Sequence, residues 1–498
     1  MAKEKKICSI LELPLITEPW QKTVLNKKME CVRKIYNSML SVQLKKYHEM
    51  TKTQEWRSLN DIIREELKKA DASGIKKNSK ELQAAYDRKN AIMREWGFSD
   101  FDFRLLAIEH SKYYQKHVSS NMAVIGVGMS MWSAFEKLFF GNGEKVSFKK
   151  FGTVSSLVSN GKSGIRFIQE DDGRYSVVLS NRMAKSKPIT LYIKGPNTMY
   201  DREMLNANIK MVRVVRKIEK GHENFYVQLT GDRSPFEKID SEGNLKHPLG
   251  SGLVGICIFR GMLCAVSDTE TYSVNLIPDE ETYTAKKVEL SRELEHLRRV
   301  NNPNNYNEDG TIKKGIIEED GKRHRLVWVE TNHYKKVKAQ LKELHRKHTA
   351  KKNLLQNEVV NHLLSMGDSF KMMDVSFLTT KPEWDEENPL PNSEYKKKKA
   401  RRRSIQEAAP SMLLSKLDRK LNGKLLEPIK RIELPETLYW YQHDKGVSDK
   451  DLFAGSNIMV AGKVISHTMY RAFLIRHFDE KLKVYDQKAL SEEWNKRD

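Results

Sequence analysis

The spacing of apolar residues changes near residue 140, and this change constrains the fold more than any other feature of the sequence. Before it, residues 22–48 have the periodicity of an amphipathic helix, with apolar residues three and four positions apart at Val32, Ile35, Met39 and Val42. Beyond it, short β-type runs such as 164–169 and 188–195 alternate with turns rich in Gly, Asn and Ser. Helices followed by several short strands predict a helical lobe inserted beside, or into, a small β-barrel.

The C-terminal half of the chain alternates strands and helices, as a mixed α/β sheet does. Strands are predicted at 253–259, 262–268 and 369–378, and helices at 283–299, from about 331 to 364, and at 411–421. The predicted fold class is therefore multidomain α+β. We place its parts as follows: an N-terminal β-barrel at 1–20 and 141–250, an inserted helical lobe at 21–140, and a C-terminal α/β domain with helical insertions at 251–498.

The charge balance favours a polyanionic partner. Lys and Arg outnumber Asp and Glu by 88 to 66, and the resulting charge of +22 is spread along most of the 498 residues. A basic, well-solvated surface is the simpler alternative, and net charge alone does not exclude it.

Cysteine usage and hydropathy indicate the compartment. The four cysteines, Cys8, Cys31, Cys257 and Cys264, form no CxxC pair, so reduced thiols are expected. The longest charge-free run, 121–132, is too short to cross a bilayer, and the N-terminus lacks the apolar stretch of a signal peptide. We expect a cytoplasmic protein with no membrane partner.

Several segments of the C-terminal half together resemble the RuvC-like nuclease half of TnpB, the transposon-encoded, RNA-guided nucleases related to type V CRISPR effectors. They are VNNPNNYNEDGTIKKG, AAPSMLLSKLDRKL, LYWYQHDKGVSDKDLF and MYRAFLIRHFDEKL. Upstream, HSKYYQKH, AFEKLFFGNGEKVSFKKFG, SGIRF and VRVVRKIEKGHENFYVQL extend the resemblance in the family's order over nearly the whole chain. It implies that the barrel is of the wedge type, that the helical lobe is a recognition lobe, and that the α/β domain is RuvC or RNase H-like.

The chemistry of that family is two-metal phosphodiester hydrolysis, in which three acids hold two Mg²⁺ ions about 4 Å apart. The resemblance places the first acid after Gly-Ile on the opening strand, where this chain has Cys257. It places the second four residues before Phe377, at Met373, and the third at the start of the final helix, at Thr468. A thiol and a thioether bind Mg²⁺ poorly, and a hydroxyl brings no charge. The sequence therefore predicts a nuclease-dead site that holds no catalytic metal.

Nearby aspartates leave an alternative open, namely an active TnpB-type endonuclease with rearranged acids at Asp268, Asp374 or Asp479. Asp374 is one residue from the expected position, and a one-residue offset on a strand points the side chain to the opposite face. Asp268 ends a predicted strand, where a solvated residue is the simpler interpretation. A guide-binding accessory factor that never touches DNA is a third alternative.

Structural zinc is not expected either. The family often carries two CxxC pairs before the third acid, but the matching segment, 441–466, contains no cysteine. A shortened, metal-free hairpin is therefore predicted there. The HxxH pair at His345 and His348 lies in a lysine-rich helix and is predicted to be on the surface rather than to bind a metal.

Three basic segments are candidate nucleic-acid contacts. Residues 145–151 and 212–217 combine basic residues with aromatics and valines in a β context, the second of them in a predicted hairpin (211–231) whose turn is GHEN (221–224). The run at 396–403 falls between elements that flank the guide–target heteroduplex in the resembled family. An ordinary half-exposed strand and a solvated loop are the simpler alternatives. The candidate residues are Lys149, Lys150, Arg213, Arg216, Lys396, Lys397, Lys398, Lys399, Arg401, Arg402 and Arg403.

In function the chain most resembles the nuclease-dead TnpB-like repressors called TldR. That resemblance implies a guide RNA as the cofactor and double-stranded target DNA with a short flanking motif as the partner. In such a complex base pairing reads the sequence while the protein holds the duplex. A transposon-derived repressor that forms an R-loop at a promoter in the bacterial cytoplasm, at the nucleoid, is the function predicted from the sequence.

Overall fold

A computed structural model describes most of the chain and confirms a multidomain α+β architecture. The chain divides into two compact units, Met1–Phe236 and Glu237–Asp498. The described residues are 8–73, 79–140, 143–180, 187–232, 240, 242–259, 261–277, 280–317, 323–373, 405–432, 457–460, 463–479, 484–485 and 487–496.

The first unit begins with a strand and a long helix. Helix α1 (Pro19–Lys52) has proline in its first turn, and the Glu18 N–H donates to Gln21 Oε1 at 2.8 Å. Two signals for the start of a helix therefore coincide here. The predicted apolar stripe is buried except at Val42, which is 37% exposed because the stripe continues through Leu40 and Gln43 instead. The other helices of this unit are α2 (Gln54–Ser73), α3 (Lys80–Glu95), α4 (Asp100–Ser111), α5 (Ser120–Ala123), α6 (Met129–Phe140) and α7 (Met199–Leu205).

A π-helical turn at Val124–Gly128 joins α5 and α6 into one helical stretch of 21 residues. With a mean hydropathy of 1.2, Ser120–Phe140 is long and apolar enough to cross a membrane by length and composition alone. Its residues Met122, Val127, Met131 and Phe135 nevertheless belong to the buried core of the first unit. One face of the stretch therefore packs in the core, although only 28% of its most apolar window is buried. The stretch is longer than the charge-free run in the sequence because Glu136 and Lys137 lie within it.

Seven antiparallel strands of the first unit form one sheet in the order β2-β6-β7-β1-β5-β4-β3. The edge strands β2 and β3 also approach each other, so the sheet closes into a near-complete barrel, as predicted. Lys220 and Gly221 both have positive φ and form the β6–β7 turn, so GHEN begins at this turn but mostly continues as β7. The strands are β1 (Ser9–Ile16), β2 (Ser156–Ser159), β3 (Ile165–Gln169), β4 (Tyr175–Leu179), β5 (Ile189–Ile193), β6 (Ile209–Glu219) and β7 (His222–Gly231).

The second unit is built on a mixed sheet of order β10-β9-β8-β13-β14. The first three strands are antiparallel neighbours, whereas β13 and β14 run parallel to β8. These strands are β8 (Leu253–Phe259), β9 (Met262–Val266), β10 (Thr271–Asn275), β13 (Ser369–Met373) and β14 (Lys430–Ile432). Two-stranded ribbons are formed by β11 (Ile316–Ile317) with β12 (Arg323–His324), β15 (Asn457–Val460) with β16 (Lys463–Ser466), and β17 (Phe478–Asp479) with β18 (Val484–Tyr485).

Helices cover both faces of this sheet. Ile256 and Met372 face one apolar layer, which α9 and α10 complete through residues such as Leu363 and Leu417. Cys257 faces the opposite layer, which α11 and α12 complete. The helices of the second unit are α8 (Glu280–Asn301), α9 (Asn332–Met366), α10 (Pro410–Gly423), α11 (His467–His477) and α12 (Gln487–Lys496).

The histidine pair of α9 differs from the prediction of two surface histidines. His345 is exposed and its Nδ1 lies 2.8 Å from the Tyr283 hydroxyl. His348 is buried, because its ring stacks on Tyr283 of α8 with centroids 3.7 Å apart. The antiparallel packing of α8 on α9 thus buries a histidine that the lysine-rich sequence around it would place at the surface.

Candidate functional site

Two of the three positions singled out in the sequence lie on neighbouring parallel strands. Ile256 of β8 is in register with Met372 of β13, so Cys257 and Met373 are the next residue on each strand. Alternation along a strand then turns both side chains to the face opposite Ile256. Cys257 is a member of the apolar cluster on that face, and the partly buried Met373 packs against it.

The third position, Thr468, approaches the same face from α11. The Ser466 hydroxyl caps this helix by accepting from the Met469 N–H at 3.1 Å, and Thr468 follows in the first turn with only 8% of its surface exposed. One turn later Ala472 packs directly over Gly255 of β8. The structure therefore brings Cys257, Met373 and Thr468 to one side of the mixed sheet.

The chemistry of these side chains does not suit a hard divalent cation. Burial raises the pKa of the Cys257 thiol to about 12, so the thiol stays protonated. Cys264, directly opposite on β9, is also buried, and burial raises the pKa of its thiol as well. Among the described residues, no three His, Cys, Asp or Glu side chains lie close enough together to hold a metal ion. The positions that the resemblance assigns to Mg²⁺ ligands carry no carboxylate, the oxygen donor that Mg²⁺ prefers.

Of the alternative acids, Asp268 has a structural partner. Its carboxylate forms an ion pair with the guanidinium of Arg476, which is 8% exposed on α11. Arg476 Nε also donates to the Leu253 carbonyl at 2.9 Å, and the same guanidinium pairs with Glu493 of α12. Asp268 therefore helps to neutralise a buried charge that ties α11 and α12 to β8.

The other two alternative acids are Asp479 and Asp374. Asp479 is an exposed residue of the short strand β17, next to the end of α11. Asp374, like Phe377 and the run 396–403, lies outside the described residues. Of the segment predicted to replace the zinc ribbon, the described part is the β15–β16 hairpin, in which Asn457 pairs with Ser466.

A buried histidine borders the three positions. His467 opens α11, directly before Thr468, with its ring 6.3 Å from that of Phe259. Burial, helped by the charge of Arg471, lowers the pKa of His467 to about 4. The imidazole is therefore neutral at physiological pH, which is consistent with the apolar character of its surroundings.

The basic residues predicted near the barrel fall into two groups. Arg213 and Lys150 are exposed. Arg216, by contrast, has a side chain only 14% exposed and donates to Asn26 Oδ1 at 2.8 Å and to the Gly152 carbonyl at 2.6 Å. Lys149 places its ammonium group 4.0 Å from the centre of the Tyr36 ring, and burial lowers its pKa. The partners of Arg216 and Lys149 favour an internal role over the phosphate contact predicted for them.

The segment 145–151 is also not the strand that its composition suggested. Residues 143–155 form an extended loop and a turn between α6 and β2, outside the sheet. Two aromatic rings in this loop, Phe148 and Phe151, are 53% and 81% exposed. The sequence indicated the aromatics of this segment but not that both rings would be exposed, because alternate residues of a strand are expected to face a core.

A known family model matches part of the first unit. The family model HTH_OrfB_IS605, described as a helix-turn-helix domain, matches residues 15–52. Here these residues form the end of β1 and the single helix α1. The helix ends at Lys52, and Thr53 separates it from α2. No curated protein matches the chain.

Two solved structures give whole-length superpositions. One is a cryo-EM structure of a Cas12f1-sgRNA-target DNA complex, with 11% sequence identity over 94% of this chain and 97% of that chain, and a TM-score of 0.45. The other is a cryo-EM structure of a CRISPR-Cas12f ternary complex, with 11% identity over 94% and 98% of the two chains and a TM-score of 0.25.

Proposed function

We propose that this protein is an RNA-guided, sequence-specific DNA-binding protein of the TnpB type that lacks nuclease activity. It would act as a transcriptional repressor of the TldR class, holding a guide RNA on its target and blocking RNA polymerase with the resulting R-loop. Its place of action would be the bacterial cytoplasm, at the nucleoid. The observation that carries the proposal is the convergence of Cys257, Met373 and Thr468 on one face of the mixed sheet.

The architecture supports a relationship to TnpB independently of these three residues. The N-terminal segment matches a family model of IS605 OrfB proteins, which is the TnpB family. Strands β8, β9 and β10 form an antiparallel meander, β13 adds to β8 in parallel, and β14 adds to β13 in parallel. This is the arrangement expected of an RNase H-like domain, the fold that the sequence resemblance implies.

The convergence supports the assignment of these three positions to one site. If the three residues lay far apart in the fold, their assignment to the metal-ligand positions of the family would be incorrect. Instead β8, β13 and α11 present them together, and each carries a side chain that Mg²⁺ does not favour. Such a protein would keep the fold that holds nucleic acid after losing the ligands that cut it.

The first experiment is to express the protein with its flanking chromosomal DNA, purify it and sequence the RNA that accompanies it. We expect a discrete species with a constant structured part and a short end that matches a promoter. A reporter carrying that match should be repressed, and a reporter with the match scrambled should not. If only heterogeneous RNA co-purifies, the protein is a general nucleic-acid binder and the repressor proposal is wrong.

The second experiment separates binding from cleavage. The purified RNA complex is incubated with supercoiled plasmid carrying the matched target, in Mg²⁺ and separately in Mn²⁺. We expect a gel shift and an R-loop footprint with no nicked or linear product. Strand breaks that disappear in Asp374→Asn or Asp479→Asn would instead establish an active endonuclease with rearranged acids.

A further inference from the structure

The loop between α6 and β2 is fixed to α1 at Lys149. The Lys149 N–H donates to Asn37 Oδ1 at 2.9 Å, and the Lys149 carbonyl accepts from Asn37 Nδ2 at 2.9 Å. Arg33 adds a third hydrogen bond to the same carbonyl at 3.3 Å, and the Lys149 ammonium group lies over the Tyr36 ring. The side chain of Lys149 is thus turned inward, and its backbone is held by a helix more than a hundred residues earlier in the chain.

A second set of contacts holds the loop three residues further on. The Gly152 N–H donates to Glu30 Oε1 at 2.8 Å, and that carboxylate also pairs with Arg33 at 2.7 Å. From the other side, the Arg216 guanidinium donates to the carbonyls of Gly152 and Val154. The loop is therefore held between α1 and β6 through the backbone groups of Lys149, Gly152 and Val154.

This clamping directs two phenylalanine rings outward. The Thr153 N–H donates to the Lys150 carbonyl at 3.2 Å, which closes a turn with Phe151 at its first corner and Gly152, at φ +73°, at its second. Val146 and Val154 are buried on either side, whereas Phe148 and Phe151 are 53% and 81% exposed. Two large aromatic rings are thus exposed three residues apart on a loop whose backbone is anchored.

The charge around the rings indicates what covers them. Lys145 and Lys150 are exposed on the same loop; of the acids nearby, Glu144 is exposed beside Lys145, whereas Glu30 is paired with Arg33. Aromatic rings beside lysines are the combination that single-stranded nucleic acid binds, because bases stack on the rings while phosphates meet the ammonium groups. An apolar protein partner would have to desolvate both lysines.

We propose that Phe148 and Phe151 form a stacking platform for unpaired nucleobases, with Lys145 and Lys150 at the adjoining phosphates. The proposal deepens the proposed function and rests on it, since it assigns a base contact to a protein that holds nucleic acid. The bases belong either to an unpaired segment of the guide RNA or to the DNA strand displaced from the target. Both sources offer the same π face to the rings.

The test uses the full-length protein and the double variant F148L/F151L, which keeps apolar side chains but removes both π faces. Fluorescein-labelled oligouridylate and oligothymidylate are the RNA and DNA probes, titrated separately by fluorescence anisotropy. F101L is the matched control, because Phe101 of α4 is 67% exposed in the same unit. All three proteins should melt at the same temperature, since none of the replaced rings is buried.

We expect F148L/F151L to bind at least one probe about tenfold or more weakly than the wild type, with F101L unchanged. The probe that loses affinity identifies RNA or DNA as the source of the bases. Photocrosslinking with 5-iodouridine or 5-iododeoxyuridine probes should then map to Phe148 or Phe151. Equal affinity of F148L/F151L and wild type, or crosslinks only elsewhere, would overturn the platform and leave the rings to a protein partner.

The outcomes also separate this inference from the proposed function. If F148L/F151L still co-purifies a discrete guide RNA, represses the reporter normally and binds both probes like the wild type, the platform fails and RNA-guided repression stands. If the wild type binds neither probe and carries no discrete RNA, both proposals fail.

Discussion

Gly255 of β8 and Ala472 of α11 are in direct backbone contact. A methyl group added to Gly255 would overlap the Ala472 carbonyl oxygen and lie 2.8 Å from Arg476 Cβ. The helix therefore crosses the strand at Gly255, the glycine of β8. Gly255 lies two residues before Cys257 on the strand, and Ala472 lies one turn after Thr468 on the helix. This crossing fixes where the strand and the helix present those two residues.

The substitution Gly255→Ala is expected to destabilise the protein by about 1–3 kcal/mol, the usual cost of overpacking a tight core. Urea unfolding followed by intrinsic fluorescence measures the change. Gly126→Ala is the control, because a methyl group there would meet only the Val158 carbonyl at 3.9 Å. Equal stability of G255A and wild type would show that α11 does not sit on β8 this closely.

Restoring a single acid should not restore cleavage. In Cys257→Asp the new carboxylate would be buried in an apolar cluster, so we expect several kcal/mol of destabilisation and no nicking of matched plasmid in Mg²⁺. Cys257→Ala keeps the apolar character and should cost less. Detectable nicking by C257D would contradict the proposal that the site is beyond rescue by one ligand.

The cysteines should differ sharply in reactivity. Cys8 is exposed and is expected to react quickly with Ellman's reagent, whereas Cys257 and Cys264 are buried and should react only after denaturation. Because the pKa of Cys257 is about 12, raising the pH from 7 to 9 should not speed its reaction in the folded protein. Cys8→Ser should remove the fast phase. A fast phase that survives in C8S would show that an interior thiol is accessible.

Arg213 and Arg216 lie three residues apart on β6 and should have opposite phenotypes. Arg216→Ala removes the donor that holds Gly152, so we expect it to cost about 1–3 kcal/mol of stability. Arg213→Ala should leave stability unchanged, weaken RNA binding and reduce its salt dependence. Thermal melts and salt-dependent anisotropy titrations measure the two effects. If R213A lowered the stability while R216A melted like the wild type, the roles given to the two arginines would be reversed.

Acidification should destabilise the second unit through His467. Its pKa in the folded protein, about 4, lies below the ordinary value of 6.5, so the unfolded state binds a proton first as pH falls. The stabilisation that the neutral imidazole contributes is fully present above pH 6.5 and is lost as the pH falls toward 4. The free energy of unfolding then decreases by at most about 1.4 kcal/mol per pH unit. Unfolding of His467→Gln, compared with wild type over that range, isolates the effect. Identical pH profiles would contradict a buried neutral imidazole.

Much of the fold could be predicted because it depends on local spacing. The apolar periodicity located α1, α9 and α10 to within a few residues, and the buried runs located β8 and the start of β13. The resemblance to TnpB singled out Cys257, Met373 and Thr468, and the sheet register and the helix crossing place all three on one side. The prediction for His348 was wrong, because the ring that buries it, Tyr283, belongs to another helix.

The sequence by itself determined the order of helices and strands and the three residue types that stand where acids were expected. Only the tertiary structure decided which basic and aromatic side chains face outward. Arg216 bonds to Asn26, and Lys149 lies over Tyr36, each partner more than a hundred residues away in the chain. Periodicity describes one segment at a time, whereas the direction of a side chain at a loop or sheet edge depends on the distant group that can desolvate or pair with it. The same long-range contacts turned Phe148 and Phe151 to the surface.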